Sequence, residues 1–264
     1  MNKKIYLVNN DTYFLAVAMG KIIVNDNYNG LIILNGNLDI EKRLNITEGM
    51  VIYSYFCCGK YLVLYCPDVD QLIMIDLQTY QYRCFNICEF CETVFSPVYC
   101  YNDGKIILSG YEDLFVEFDV NRGWKRILRK KTVQNRYRVF YRIHELLHQT
   151  SIIKMDWDKK IVITDSNGVI SIKKFSEDKI WKLTDFKSNR SHDYECIENI
   201  RLEVSETSLK IYQEQTEIDS YRTDENHIFL RGKFYENKNI LNLITLGGSK
   251  NDENCDYLEK VLLV

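Results

Sequence analysis

The sequence carries little net charge and contains no long hydrophobic run. Its 264 residues include 34 Lys and Arg against 37 Asp and Glu, which gives a formal net charge of −3. Such a balanced chain creates no overall field that would draw it onto nucleic acid or anionic lipid, so neither is expected as a partner. Since no apolar stretch approaches the roughly 20 residues that cross a bilayer, a membrane-spanning segment is not expected either.

The first residues also lack the apolar centre of a secretion signal. Lys3 and Lys4 are followed by only four apolar residues before Asn9. The nine cysteines are an odd number, and in a chain without an export signal they are expected to be reduced thiols. We therefore expect a cytoplasmic protein. Two prolines among many Ile, Asn, Lys and Tyr residues are typical of an AT-rich genome and suggest a bacterial source.

A short phrase of the sequence returns several times. Gly20-Lys21-Ile22-Ile23 reappears as Gly59-Lys60-Tyr61-Leu62, as Gly104-Lys105-Ile106-Ile107 and, without its glycine, as Lys159-Lys160-Ile161-Val162. Each copy opens a β-branched run that is followed by a polar turn and a second such run. The spacing, between 39 and 55 residues, is typical of four-stranded propeller blades.

The repeat predicts an all-β fold, a β-propeller with five or six four-stranded blades in a single domain over residues 1–264. Its first strand, 4–9, would pair with the last blade and so hide two exposed sheet edges. A helical alternative exists only for residues 136–155, where apolar side chains recur at helical spacing. The predicted units span residues 12–46, 51–88, 93–130, 151–186, 196–222 and 226–264.

The third unit carries a resemblance to a known class. The sequence from Phe95-Ser96-Pro97 through Asn102–Gly123 resembles one blade of a WD-repeat propeller, and residues 72–79 and 160–172 have a similar form. The resemblance covers residues 12–184, although the Gly-His and Trp-Asp dipeptides of that family are missing. It implies a fold and no particular activity, because propellers include enzymes, receptors and scaffolds.

A zinc-peptidase pattern occurs between the third and fourth units. In His144-Glu145-Leu146-Leu147-His148, two histidines at helical spacing could bind Zn²⁺, and Glu145 could act as the general base. The chain has only four histidines, and neither His192 nor His227 lies in a recognisable third-ligand motif. The other interpretation is a connecting helix or strand with surface histidines.

A second metal pattern consists of Cys84, Cys88 and Cys91. This spacing resembles the cysteine triad by which radical-SAM enzymes hold an iron–sulfur cluster. That fold requires helices alternating with parallel strands, which the repeat does not predict. A metalloenzyme that uses either the histidine or the cysteine pattern is therefore the alternative function, and the principal prediction is a non-enzyme without cofactor or metal.

The turns between the second and third strands of the predicted blades are acidic, and two of them contain tyrosine. Such a surface suits a basic protein partner, although Asp and Asn are also the residues that turns prefer. We expect a non-catalytic, macromolecule-binding propeller, such as a bacterial inhibitor or immunity-type protein that neutralises a toxin or effector. The predicted contact residues are Asp26, Tyr28, Asp68, Asp70, Tyr111, Glu112, Asp113 and Asp165.

A basic stretch runs from Arg126 to Arg142. It could contact an acidic partner, or it could be a solvated basic face, which is the more common explanation for such a run.

Overall fold

The computed structural model has six antiparallel four-stranded sheets. It describes residues 3–87, 98–100, 105–109, 114–119, 121–147, 150–156, 159–176, 179–187, 191–237, 240–251 and 255–263. The sheets are the blades of a β-propeller, which confirms the predicted fold class and settles the blade number at six.

Blades 1 to 3 each follow the chain in the order of their strands. Blade 1 contains β2 (Leu15–Ala18), β3 (Lys21–Asp26), β4 (Gly30–Leu34) and β5 (Ile40–Asn45). Blade 2 contains β6 (Ser54–Cys58), β7 (Tyr61–Cys66), β8 (Gln71–Asp76) and β9 (Tyr82–Asn86), with a 3₁₀ turn at Pro67–Val69. Blade 3 contains β10 (Val98–Cys100), β11 (Lys105–Ser109), β12 (Leu114–Asp119) and β13 (Trp124–Arg129).

Blades 4 and 5 repeat this order, and blade 6 takes its fourth strand from the start of the chain. Blade 4 contains β14 (Ser151–Asp156), β15 (Ile161–Ser166), β16 (Val169–Phe175) and β17 (Ile180–Lys187). Blade 5 contains β18 (Asp193–Ile197), β19 (Ile200–Val204), β20 (Ser208–Gln213) and β21 (Thr216–Arg222). Blade 6 contains β22 (His227–Asn237), β23 (Ile240–Ser249), β24 (Cys255–Leu262) and β1 (Lys3–Val8).

The predicted pairing of the first strand with the last blade is confirmed. β1 runs antiparallel to β24, from Lys3 opposite Lys260 to Val8 opposite Cys255. Leu7 of β1 is buried in the same apolar cluster as Leu246 and Leu258. The pairing thus covers the edge of β24 with backbone hydrogen bonds and anchors the first strand in the core.

The middle strands of blades 1 and 2 are buried almost throughout, and the fourth strands of the blades are mostly exposed. Every residue of β4 and β7 is buried, whereas β13 buries only Leu128. Strands covered on both faces need continuous apolar runs, whereas an outer strand needs apolar side chains only on its inward face. This burial explains the apolar runs that follow each copy of the repeated phrase.

The chain packs as two compact units, residues 1–50 with 189–264 and residues 51–188. Each unit has its own apolar clusters, including one around Leu15, Ile32 and Leu258 in the first and one around Phe115 and Phe140 in the second. The single-domain organisation over 1–264 remains a prediction.

Two helices follow blade 3, namely α1 (Lys130–Arg136) and α2 (Arg138–Leu147). The helical spacing at 136–155 correctly indicates α2, but residues 151–156 form the strand β14. The apolar side of α2 is buried, with Val139, Phe140 and Ile143 in the core of the second unit. Because α1 contributes only Val133 to that core, its sequence lacks the apolar period that would have predicted it.

The first unit contains a buried group of charges. Lys233 of β22 is 5% exposed, and its Nζ lies 3.3 Å from Asp193 Oδ2 and 3.5 Å from Glu195 Oε2. Burial by itself lowers the pKa of Lys233, but the two carboxylates outweigh it and hold this pKa above the ordinary value. The ammonium group is therefore charged, and it lies between the half-buried carboxylate of Asp193 and the buried carboxylate of Glu195.

Candidate interaction site

The structure places the predicted contact residues between second and third strands, as the repeat requires. Asp26 ends β3, Asp68 and Asp70 lie between β7 and β8, and Asp165 lies near the end of β15. In an antiparallel four-stranded sheet, this turn lies at the same end as the loop that enters the first strand. Tyr111, Glu112 and Asp113 lie outside the described residues.

In blade 1 an exposed tyrosine of the turn meets a carboxylate of the entering loop. Tyr28 is 41% exposed, and its hydroxyl donates a hydrogen bond to Asp11 Oδ2. This hydrogen bond raises the pKa of Tyr28, so the phenol stays protonated. The Tyr28 ring also stacks on Tyr13, with 5.9 Å between ring centroids. Two aromatic rings and an acid thus form one surface feature of the first unit.

A buried amide holds this loop against the turn. Asn25 Oδ1 accepts the backbone N–H groups of Tyr13 and Phe14, each at 3.0 Å. Its Nδ2 donates to the backbone oxygens of Asp11 at 2.7 Å and Asn27 at 2.8 Å. A single Asn offers both donors and acceptors, and can therefore satisfy several groups of a loop at once. The exposed groups of this patch rest on a rigid support.

Asp26 takes part in the contacts that hold this loop and also lies at the surface. Its Oδ2 pairs with Arg43 Nη1 at 2.7 Å, and its Oδ1 accepts from Asn10 Nδ2 at 3.3 Å. The predicted contact residue is half-buried, and part of its charge is already balanced by Arg43. Asp11, which sequence reasoning missed, is the more exposed acid of this patch.

Beneath the loop lies Asp256 of β24, which sequence reasoning also missed. Its Oδ2 accepts the backbone N–H of Thr12 at 2.6 Å. Burial raises the pKa of Asp256 to about 6, against the opposing hydrogen bond from Thr12 and with a smaller contribution from Asp11. Nothing in the local sequence indicates this contact, because the two residues are 244 positions apart.

Blade 2 repeats the tyrosine–carboxylate pair with the two partners exchanged. Here the entering loop provides Tyr53, which is 39% exposed, and the turn provides Asp68. The Tyr53 hydroxyl donates to Asp68 Oδ1 at 3.0 Å, and this bond raises the pKa of Tyr53. Asp70 is exposed and adopts a left-handed backbone with φ of 54°. Blades in both units thus carry an exposed tyrosine paired with an exposed acid.

In blade 4 the predicted carboxylate forms its own turn. Asp165 Oδ1 accepts the backbone N–H of Gly168 at 2.8 Å. Asn167 and Gly168 both have positive φ, 55° and 81°, as a two-residue type I′ hairpin requires. The half-buried Asp165 therefore has a structural reason for its position, and its contact role remains a prediction.

The opposite end of blade 2 contains a cleft of about 480 Å³. Its charged wall includes Lys60 Nζ and Asp76 Oδ2, which are 2.6 Å apart. This feature lies at the turns before β7 and after β8, away from the predicted contact residues of the blade. It is lined by Lys60, Tyr61, Met74, Asp76, Tyr80, Gln81, Tyr82, Arg83 and Asn121.

The first histidine of the zinc-peptidase pattern is a core residue. His144 is buried, its Nδ1 lies 3.0 Å from Ser109 Oγ, and its ring packs edge-on against Phe115 at 5.0 Å. Glu145 is exposed, so the pattern's proposed base and its first ligand lie in different environments. His148 lies outside the described residues.

Of the cysteine pattern, only Cys84 lies within the described residues, exposed on β9. Cys88 and Cys91 fall outside them. Across the described ranges, no three His, Cys, Asp or Glu side chains are grouped so that they could hold a metal ion.

The helices of the described part include none that is both long and apolar enough to cross a membrane.

The chain is similar in fold to WD40 propellers of known structure. The β-propeller domain of Myceliophteria thermophila Cps50 (Swd1) aligns over 100% of both chains, with a TM-score of 0.62 and 9% identity. The Neurospora crassa Pan2 WD40 domain aligns over 96% of this chain and 89% of its own, with a TM-score of 0.56 and 8% identity. The RRP9 WD40 repeats align over 98% and 97%, with a TM-score of 0.50 and 10% identity.

No protein-family model and no curated protein sequence matches the chain. At identities this low, the structural likeness establishes the fold alone. The WD-repeat-like class predicted from residues 12–184 is thereby confirmed, and the protein is a six-bladed, WD40-like β-propeller.

Proposed function

We propose that the protein is a non-catalytic propeller that binds a protein partner through the acidic, tyrosine-bearing ends of its blades. The observation that carries this proposal is the repeated pair of exposed tyrosine and carboxylate, Tyr28 with Asp11 and Tyr53 with Asp68. Tyrosine supplies contact area at a small entropic cost, and carboxylates steer a basic partner into place.

Within this class, we propose a bacterial cytoplasmic inhibitor or immunity-type protein that neutralises a basic toxin or effector. The acidic turns support a basic partner. The thiols of Cys66 and Cys84, which form no disulfide with any described residue, support a reducing compartment. The composition supports a bacterial source.

The test compares two triple variants of the full chain. D11N/D68N/D70N removes one exposed negative charge from the acidic end of blade 1 and two from that of blade 2. E198Q/E214Q/E236Q removes three exposed charges from turns at the other end of the blades, and is the matched control. Immobilised wild-type protein captures partners from the host lysate, mass spectrometry identifies them, and the purified partner is titrated against all three proteins.

We expect a basic partner whose association rate falls about tenfold or more with D11N/D68N/D70N and changes little with the control, because charge steering acts on encounter. Equal binding by all three proteins would remove the acidic surface from the proposal. Metal analysis of protein purified without oxygen separates the metalloenzyme alternative, since stoichiometric zinc or iron would overturn the non-catalytic assignment.

A further inference from the structure

The charge of the chain is very unevenly distributed. Residues 121–147, here called the basic segment, contain nine Lys and Arg residues and a single acid, Glu145. The other residues contain 25 basic and 36 acidic side chains, so a local charge of +8 stands against −11 elsewhere. Six of the 12 arginines of the chain lie in this segment. The net charge of −3 therefore conceals a strongly positive region.

Many of these cations have no counter-charge among the residues that the structure describes. Arg126 pairs with Glu117 at 2.8 Å and Arg122 lies 3.9 Å from Asp119. Five others are exposed and form no ion pair with any residue that the structure describes. Exposed lysines elsewhere do pair, as Lys210 does with Glu217 at 3.1 Å. The five are Arg129, Lys131, Arg136, Arg138 and Arg142.

The positions of these cations also reduce the stability of the two helices. The first turn of α1 contains Lys130 and Lys131 and no acid, although the positive end of a helix dipole favours acids. Arg138 opens α2, and Arg142 follows one turn later, where two like charges repel. A glutamate at position 138 would place an acid in the first turn of α2 and would replace the repulsion from Arg142 by an attraction. Residues that lower the stability of their own helix are expected at functional surfaces.

The helices present these cations from a fixed base. Val133, Tyr137, Phe140 and Ile143 are buried in the core of the second unit. The Tyr137 hydroxyl donates a hydrogen bond to the buried carboxylate of Glu117 on β12. The exposed arginines therefore project from helices that are anchored by packing and by a polar contact.

The composition of the surface decides which class of partner it fits. Ile127, 51% exposed, is the one large apolar side chain that is exposed among the described side chains of residues 121–146. Protein interfaces have an apolar or aromatic centre that is depleted in charge, whereas nucleic-acid interfaces are polar and strongly positive. Arginine also suits phosphate, because its planar guanidinium donates two parallel hydrogen bonds.

We propose that the basic segment binds the phosphate backbone of a nucleic acid, without dependence on base sequence. The expectation that nucleic acid is no partner rested on the charge of the whole chain, which is the wrong quantity for a surface of this size. Over distances longer than about 10 Å, salt screens the acidic remainder, so the local +8 decides the interaction.

The experiment measures fluorescence anisotropy of labelled oligonucleotides with the full chain, at about 50 and about 200 mM salt. The probes are a single-stranded RNA of about 20 nucleotides, the same DNA sequence, its duplex, and an oligoglutamate of equal charge. The test variant is R129Q/K131Q/R138Q/R142Q. The matched control, K42Q/K160Q/K174Q/K187Q, removes four cations that are equally exposed and lie outside the segment.

We expect the wild type and the control to bind nucleic acid with similar affinity. The test variant should lose at least about tenfold in affinity, and its salt slope should fall by roughly 3, at about 0.7 per lost phosphate contact on a single strand. No binding of any nucleic acid at about 50 mM salt would overturn the proposal, as would equal losses in both variants. If oligoglutamate bound as tightly as RNA and DNA, the proposal would be overturned, because the segment would then fit an acidic protein as its partner.

Discussion

Replacing Lys233 by methionine should destabilise the protein far more than the loss of an ordinary ion pair. The substitution keeps the length of the side chain and removes its charge. Asp193 and Glu195 then lose the ammonium group that lies between them, and the two like charges repel each other although the Glu195 side chain is only 4% exposed. Breaking a buried ion pair from one side costs about 3–5 kcal/mol, because a buried charge is left uncompensated.

The matched control is Lys210→Met, which breaks an exposed pair. Lys210 and Glu217 are 40% and 39% exposed at their side chains, and such pairs are worth less than about 1 kcal/mol. Both variants are unfolded in urea and followed by far-UV circular dichroism. Circular dichroism is needed because Trp124, Trp157 and Trp181 all belong to the other unit, residues 51–188.

The pH dependence gives a second readout. The pKa of Lys233 is raised above its ordinary 10.5, so its stabilisation is complete at neutral pH and is lost only as pH rises through that raised pKa. In Lys233→Met the two carboxylates have lost the nearby ammonium group and gain protons more easily, so the stability deficit of the variant should shrink as pH falls from about 7 to about 5.

The triple variant K233M/D193N/E195Q should recover part of the loss, since all three side chains of this group are then neutral. A cost for Lys233→Met no greater than that for Lys210→Met, or a deficit that is constant with pH, would refute this reasoning.

Three further predictions concern single positions. Asp256→Asn should flatten the dependence of stability on pH. The pKa of Asp256 is raised to about 6 from 3.8, so the free energy of unfolding of the wild type falls as pH rises through 6, by up to about 3 kcal/mol. Urea titrations at several pH values should show this fall for the wild type and not for the variant. Arg138→Glu should raise the free energy of unfolding by about 0.5 kcal/mol in thermal melts; a decrease would contradict the like-charge argument for α2. Gly30→Ala should cost more than about 2 kcal/mol in urea unfolding, because a Cβ there collides with the backbone oxygen of Leu44. In Gly59→Ala the new Cβ meets no atom and only the left-handed backbone, with φ of 54°, is strained, so this change should cost less, about 1 kcal/mol.

The candidate site could be predicted only in part, because its members come from separate loops. Asp68 and Asp70 follow from the repeat, since a turn must lie between two apolar runs. Their partner Tyr53 does not, because the hydrogen bond depends on how the entering loop lies beside the turn. His144 shows the converse: its motif is visible in five letters, but its burial depends on Ser109 and Phe115 of other strands.

By itself, the sequence determined the strands and the repeat, because period-two patterns, apolar runs and turn residues act over a few neighbouring positions. The closure by β1 followed from the repeat, because an unpaired first strand and last blade would leave two exposed sheet edges. It also fixed the charge of the basic segment, but it did not show that five of its cations form no ion pair with a described residue. The tertiary structure alone decided that Lys233 meets Asp193 and that Asp256 holds Thr12, contacts 40 and 244 residues apart. A pKa or a buried charge depends on what the fold brings within a few ångströms, and the order of residues along the chain does not contain that distance.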